Sequence, residues 1–416
     1  MSSTLPGLGA IVQECRGRVL AALTTRVGDL DLAEDALQDA CERALSRWTR
    51  ESLPANPAGW LYRAAYRRAI DIIRRDQTFV EKRALLVPLA DHAELPQDVD
   101  DDFPDERLRL IFTCCHPALT ETARIALTLK TLGRLSTADI ARAFLVPETT
   151  MAQRLVRAKR KIQAARIPYQ VPDAGMWPER LGSVLAVVYL IFNEGYAASD
   201  GAHPIRHELA DEAIRLGRVL VTLLPGDAEC QGLLALMLLH DARRRARSKA
   251  DGQLVTLEHQ DRTRWDRAMI AQGLGALAQA EAAQQAPGPY YLQALISAEH
   301  VRAPSFASTD WERIARAYDQ LYALKPTPVV RINGAVALSY AHDANTGLRA
   351  LQPLVNNPAV ADYQPFHAAH ADLLSRAGKR QEAIAAYQRA ANLSNSDAER
   401  QFLTARWEEL ARLKTP

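Results

Sequence analysis

The sequence predicts an all-α protein of two small helical domains followed by a longer array of paired helices. Three observations carry that expectation. Apolar residues recur at the 3.6-residue helical period along nearly the whole chain, with no sustained alternation of strand type. A short helix, a break and a second short helix run from Ser136 to Ile162. In the last third, Ala315–Pro326 and Ala383–Ser394 align so that Tyr318 and Tyr387 fall 69 positions apart. That is about twice the ~34-residue period of tetratricopeptide-type helical hairpins.

Composition narrows the function classes. The 416 residues are 48% hydrophobic and 24% charged with a net charge of +2, ordinary globular values for a chain of two to four domains. A balanced total charge leaves any nucleic-acid role to local patches. The five cysteines are scattered and form no disulfide framework, which fits a reducing cytoplasm. Cys114, Cys115 and His116 invite a zinc site, but adjacent cysteines suit a tetrahedral site poorly and no second pair follows at finger spacing. They are expected in the core, and no metal or cofactor is expected. No basic-then-apolar leader opens the chain. The longest apolar run, Val184–Phe192, is too short to span a bilayer, so a soluble cytoplasmic protein without membrane contact is expected.

Residues from about 10 to 78 read as helices. In Asp31–Trp48 the residues Leu37, Cys41, Ala44, Leu45 and Trp48 share one face, while Glu34, Asp35, Gln38, Asp39 and Glu42 share the other. Such an acidic face is either solvated surface or a dock for a basic groove. After a Pro-rich loop, Trp60–Arg75 places Leu61, Ala65, Ile72 and Ile73 on a buried stripe. Trp60, Tyr62, Arg63, Tyr66, Arg67, Arg74 and Arg75 lie on the other faces. Aromatic rings interleaved with arginines suit melted or single-stranded DNA, since bases stack on rings and phosphates pair with guanidinium groups. The alternative is that Trp60 and Tyr66 are core and the arginines solvated.

Residues 79–104 form an acidic linker containing DVDDD at Asp98–Asp102. Asp105–Leu132 supplies two helices that back the helix-turn-helix. Within the latter, Ser136 caps the first helix, and Ile140, Ala141 and Phe144 are its inner face. Pro147 opens the second helix, where its missing N–H costs nothing. Met151 and Leu155 point inward. Thr149, Thr150, Gln153, Arg154 and Arg157 point out, where Gln and Arg match base edges in a major groove. Arg157, Lys159, Arg160 and Lys161 are placed to neutralise phosphates. Leu145 stands where such turns usually carry Gly, a strained choice if φ is positive.

The order of these parts resembles the bacterial sigma factors of the extracytoplasmic-function group: DLAEDALQDACERAL, NPAGWLYRAAYRRAIDIIRR, an acidic linker, DERLRLIFTCCHPAL and a helix-turn-helix ending RLVRAKRKI. FTCCHPAL and TMAQRLVRAKRKI, with a long tail behind them, resemble the subgroup carrying a C-terminal tetratricopeptide-like extension. The resemblance implies sigma region 2 over 1–78, region 4 over 105–167, and an extension over 172–416. It implies that Asp35, Gln38, Asp39 and Glu42 bind core RNA polymerase. Asn56, Trp60, Arg63, Tyr66, Arg67 and Arg74 would capture the −10 element of promoter DNA, including a flipped base. Thr149, Thr150, Gln153, Arg154, Arg157 and Arg160 would read the −35 element. The extension would regulate the sigma domains, with Asn193–Asp200 and Asp261–Arg267 as candidate contacts.

A stand-alone helix-turn-helix activator with an effector-binding repeat domain is the alternative, but it leaves the Trp60 helix and the acidic helix unexplained. An enzyme is not expected. Gly273 and Gly275 fall within a helical pattern and make no phosphate loop, and no nucleophile–base or metal spacing occurs.

Overall fold

The computed structural model of the chain describes residues 8–48, 52–75, 104–132, 135–144, 146–172, 175–197, 207–247, 255–394 and 397–412. All regular secondary structure among these residues is helical, with no β-strand. All but the last position of the expected acidic linker lies outside them, as does Leu145 of the expected turn. The chain divides into two compact units, Met1–Leu190 and Ile191–Pro416.

The first unit opens with α1 (Leu8–Val27), α2 (Leu30–Arg47) and α3 (Pro57–Arg75), each packed on the other two. Gly28 takes φ +73°, a conformation glycine adopts without strain, and so turns α1 directly into α2. The Asp29 carboxylate then caps α2 by accepting from the amides of Asp31 at 2.9 Å and Leu32 at 3.1 Å. Asn56 caps α3, its side-chain oxygen accepting from Gly59 N at 2.7 Å. The helix therefore begins at Pro57, three residues before the expected Trp60. Leu20, Leu23, Leu37, Leu61 and Ala65 are fully buried between the three helices.

Two details of this bundle differ from expectation. Leu45, expected in the core stripe of α2, is 41% exposed. Ile72 and Ile73 are only half-buried, and Ala69 with Ala58 completes the inner face of α3.

Next come α4 (Pro104–Cys114), α5 (Glu121–Thr131), α6 (Thr137–Ala143) and α7 (Glu148–Ala164). Ser136 and Asp139 cap α6 reciprocally: Asp139 N donates to Ser136 Oγ at 3.1 Å and Ser136 N to Asp139 Oδ2 at 2.9 Å. Pro147 is the cap of α7 instead of its first helical residue. Phe112, Leu127, Leu129, Ile140, Met151 and Ile162 are fully buried in a core that α1 also closes by packing on α4. Cys114 and Cys115 lie inside it, where burial pushes both thiols up, that of Cys115 to about 11. They are packing residues that stay protonated.

α8 (Trp177–Ala197) starts in this unit. Its first turns bind the helices behind the helix-turn-helix. Arg180 Nη2 donates to Phe112 O at 2.8 Å, Arg124 Nη1 to Ser183 Oγ at 2.7 Å, and Ser183 Oγ to Cys115 O at 2.8 Å. Trp177 packs on Phe112 with ring centroids 5.2 Å apart.

The second unit continues through α9 (His207–Leu223), α10 (Ala228–Asp241), α11 (Arg267–Ala282), α12 (Pro289–Arg302), α13 (Trp311–Leu324), α14 (Pro328–Ala341), α15 (Ala344–Leu351), α16 (Gln364–Arg376), α17 (Arg380–Leu393) and α18 (Asp397–Arg412). Packing is mostly between neighbours in sequence, α10 on α11, α13 on α14, α16 on α17 and α17 on α18, as in helical-pair arrays. Gly232 lets α10 approach α12 closely, since a Cβ there would lie 2.6 Å from Tyr291 N. The polar stretch Asp261–Arg267 makes caps. Asp261 accepts from Thr263 N, Asp266 accepts from Met269 N at the start of α11, and Trp265 is buried. Gly273 and Gly275 lie within α11. Of Asn193–Asp200, residues 198–200 are outside the described set. Tyr196 packs under Arg247, whose guanidinium carbon stands 3.7 Å from the ring centroid.

Candidate nucleic-acid interface

On a helix advancing 100° per residue, Thr149, Gln153, Arg157 and Arg160 fall within about 80° of one another on α7. All four are exposed, opposite the buried Met151, Leu155, Ala158 and Ile162. Thr150 and Arg154 are half-buried at one edge of this face. The exposed face thus joins four of the six positions expected to read DNA and sets two at its flank. Two further residues belong to it. Ala152 is exposed and Val156 is 46% exposed, small apolar groups of the kind that meet a thymine methyl. A helical wheel places them there, but an inward role is the ordinary expectation for Val and Ala.

Lys159 departs most from expectation. Its ammonium donates to Asp31 Oδ1 at 2.6 Å and Glu34 Oε2 at 2.7 Å, with only 14% of its side chain exposed. One turn on, Gln163 Nε2 donates to Asp29 Oδ2 at 3.3 Å. The group expected to neutralise a phosphate instead ties α7 to the start of α2. Burial opposes its charge, but the two carboxylates outweigh that and raise its pKa, so the pair holds throughout the neutral range.

Along α3, Trp60, Arg63, Arg67 and Arg74 lie within about 60° and Tyr66 flanks them. Arg67 and Arg74 are exposed, while Trp60, Arg63 and Tyr66 are half-buried. Trp60 meets Trp48 edge-on at 5.2 Å and Tyr66 stacks on Tyr62 at 6.1 Å. The two aromatic residues are therefore neither core nor fully outward: each keeps part of its ring at the surface beside arginines. Asn56 spends its side-chain oxygen on the α3 cap.

On α2, Asp35, Gln38 and Glu42 are exposed along one stripe, with Gln38 Nε2 donating to Glu42 Oε1 at 3.2 Å. Leu45 extends the same stripe by one turn. Asp39 stands apart, half-buried and ion-paired with Arg68 of α3. Crowding of acids and partial burial raise the pKa of Asp35, burial being the larger cause. Among the described residues no cluster of three metal-ligating side chains occurs, and no helix is long and apolar enough to cross a membrane.

The family comparisons fall on these faces. Residues 11–79 match the model for sigma-70 region 2, and residues 109–162 match that for sigma-70 region 4. Residues 180–281 match a family of unknown function (DUF6596). An uncharacterized protein of Rhizobium meliloti (strain 1021) is 41% identical over 400 residues, covering 95% of this chain and 94% of the relative. No solved structure matches the chain.

Proposed function

We propose that this chain, which belongs to the sigma-70 family, is a sigma factor of the extracytoplasmic-function type with a regulatory helical-repeat extension. In this reading it binds core RNA polymerase and directs it to particular promoters, performing no chemistry of its own. The observation that carries it is the presence in one chain of two sigma domains whose outward faces differ in chemistry. The α2 face is acidic (Asp35, Gln38, Glu42) and suits a basic surface on the polymerase. The α3 face (Trp60, Arg63, Tyr66, Arg67, Arg74) joins aromatic surface to positive charge and suits the melted −10 element. The α7 face (Thr149, Gln153, Arg157, Arg160) suits duplex recognition at −35, with Thr150 and Arg154 at its edge. Asn56 and Asp39 take structural parts in this scheme, as the α3 cap and as the partner of Arg68.

The tetratricopeptide-like character of the extension is supported by the Tyr318–Tyr387 spacing and by the packing of consecutive helices. We assign it control over the sigma domains. Removing residues beyond about 170 changes promoter-directed transcription, with loss of activity expected. Truncated protein as active as the full chain contradicts that assignment.

The discriminating experiment compares promoter binding with and without core polymerase. A sigma factor forms a specific complex only with core enzyme present. Specific retardation of promoter DNA by the protein alone would favour the stand-alone activator.

A further inference from the structure

An open cavity of about 460 Å³ lies in the second unit, lined by α13, α14, α16, α17 and α18 and by the short 3-10 turn Leu257–His259. That volume lies in the range of small-molecule sites. One wall is aromatic: Trp311 stacks on Tyr340 at 4.4 Å, and Phe306 meets both edge-on at 5.1 Å.

Beside this wall lie two carboxylates, Asp372 and Glu258, of which only Asp372 has guanidinium neighbours among the described residues. Asp372 has its nearest guanidinium nitrogens at 3.5 Å on Arg376 and 4.0 Å on Arg406. Charge-assisted hydrogen bonds are about 2.7–2.9 Å long. Arg376 spends its short contacts on Ser339, donating to Oγ at 2.8 Å and to the carbonyl at 3.0 Å, and its guanidinium lies over Tyr340. Arg406 is shared between Tyr387, whose side chain it bonds, and Glu409 at 3.6 Å. Glu258, on the turn that lines the cavity, has no ion-pair partner among the described residues, and its charge acts on both Asp372 and Tyr340. Burial, reinforced by Glu258, holds the Asp372 carboxyl above its usual range against the two arginines.

His300, on the cavity wall, has a buried Nδ1 without a hydrogen-bond partner. Burial, with Arg243 and Arg262 nearby, pushes its pKa down to about 4, so the ring adds no positive charge at neutral pH. Asp372 keeps about a third of its side chain exposed between Arg376 and Arg406, whereas Glu258 has no guanidinium beside it among the described residues, so an entering ammonium meets Glu258 as the unneutralised carboxylate with Asp372 next to it. An apolar body on the same molecule is removed from water against Trp311, Ile314 and Val336.

We propose that this cavity binds a small organic cation, a protonated amine carrying an aromatic or apolar body. The site stands independently of the transcription reading, because every residue in it belongs to the second unit. An organic anion is disfavoured by the two carboxylates, and Arg406 is already engaged.

The test uses the full chain and three probes with one body and three charges: phenethylamine, 2-phenylethanol and 3-phenylpropionate. Binding is read by calorimetry and by tryptophan fluorescence, since Trp311 lines the cavity. Phenethylamine is expected to bind at least about tenfold more tightly than the alcohol, the factor one added ion pair of ~1.4 kcal/mol supplies, and 3-phenylpropionate least of all. Glu258→Gln with Asp372→Asn brings the amine to the level of the alcohol. Glu258→Gln alone, on an exposed turn that cannot unfold the array, narrows the gap. Val336→Trp fills the cavity and removes binding of the amine and the alcohol alike. No binding of phenethylamine at millimolar concentration, equal binding of all three probes, preference for 3-phenylpropionate, or selectivity unaltered in Glu258→Gln would each overturn the proposal.

Discussion

Lys159 of α7 donates to Glu34 of α2 at 2.7 Å, and both side chains are nearly buried, 14% and 12% exposed. The contact joins residues 125 positions apart and holds the recognition unit against the bundle that carries the acidic stripe. Asp31 and Asp29 extend it to Lys159 and Gln163. Removing the cation leaves Glu34 without this partner in a desolvated position. Lys159→Ala is expected to destabilise the first unit by about 1–3 kcal/mol, seen as an earlier thermal transition. A double cycle with Glu34→Gln should show coupling, and additive effects would contradict the pairing.

The same geometry separates Lys159 from its neighbours on α7 in DNA binding. Arg157→Ala should reduce the dependence of log affinity on log salt by about one, and Lys159→Ala should leave it almost unchanged. Gln153→Ala should cost about 1–3 kcal/mol at a particular −35 base pair and relax preference there. These effects are read by titrating holoenzyme on promoter variants. Equal salt effects of Arg157→Ala and Lys159→Ala would mean that Lys159 reaches DNA in the working complex.

Much of this was legible in the sequence. Helical periodicity located the helices, and Ser136 marked the start of α6 because capping is a local interaction. The faces of α7 and α3 followed from the same period. The Lys159 contact was not legible, because it depends on how two bundles pack and nothing within either segment announces it. Leu45 was misplaced for a related reason: it sits at the edge of the apolar stripe, where neighbouring helices decide burial. The cavity is still less local, since Glu258, Trp311, Tyr340 and Asp372 come from four elements. The Tyr318–Tyr387 spacing hinted at the repeat, but not that both tyrosines line one cavity.

On α2 the exposed acids and the paired one should behave differently. Asp35→Lys with Glu42→Lys should weaken binding to core polymerase while leaving the thermal transition in place. Asp39→Asn instead loses the Arg68 ion pair, half-exposed and worth at most about 1 kcal/mol, and should lower thermal stability slightly with little change in core affinity. A pull-down titration and a melting curve on each variant distinguish the two. Unchanged core affinity in the double reversal would make the stripe solvated surface.

Acidification should loosen the second unit through His300. Its pKa is about 4 in the folded state against an ordinary ~6.5. Above pH 6.5 the ring is neutral folded or unfolded and contributes no pH dependence. As pH falls from 6.5 towards 4, the unfolded chain takes up a proton that the folded chain refuses, so stability is lost. Relative to His300→Gln, the wild type should lose on the order of 3 kcal/mol between pH 7 and pH 4, at ~1.4 kcal/mol per unit of pKa. Referring each pH to the variant cancels the opposing effect of Asp372 and Glu229, whose raised pKa values favour the folded state in acid. A difference that is flat with pH would contradict a neutral buried His300.

Run-off transcription in vitro decides whether the chain acts as a sigma factor. Core RNA polymerase is combined with the purified full-length protein on genomic fragments, and 5′ ends are mapped. A sigma factor gives discrete start sites that appear only when both proteins are present, share common −35 and −10 sequences, and vanish with Gln153→Ala plus Arg157→Ala. Transcripts that start without regard to sequence, or start sites indifferent to that double substitution, would contradict it.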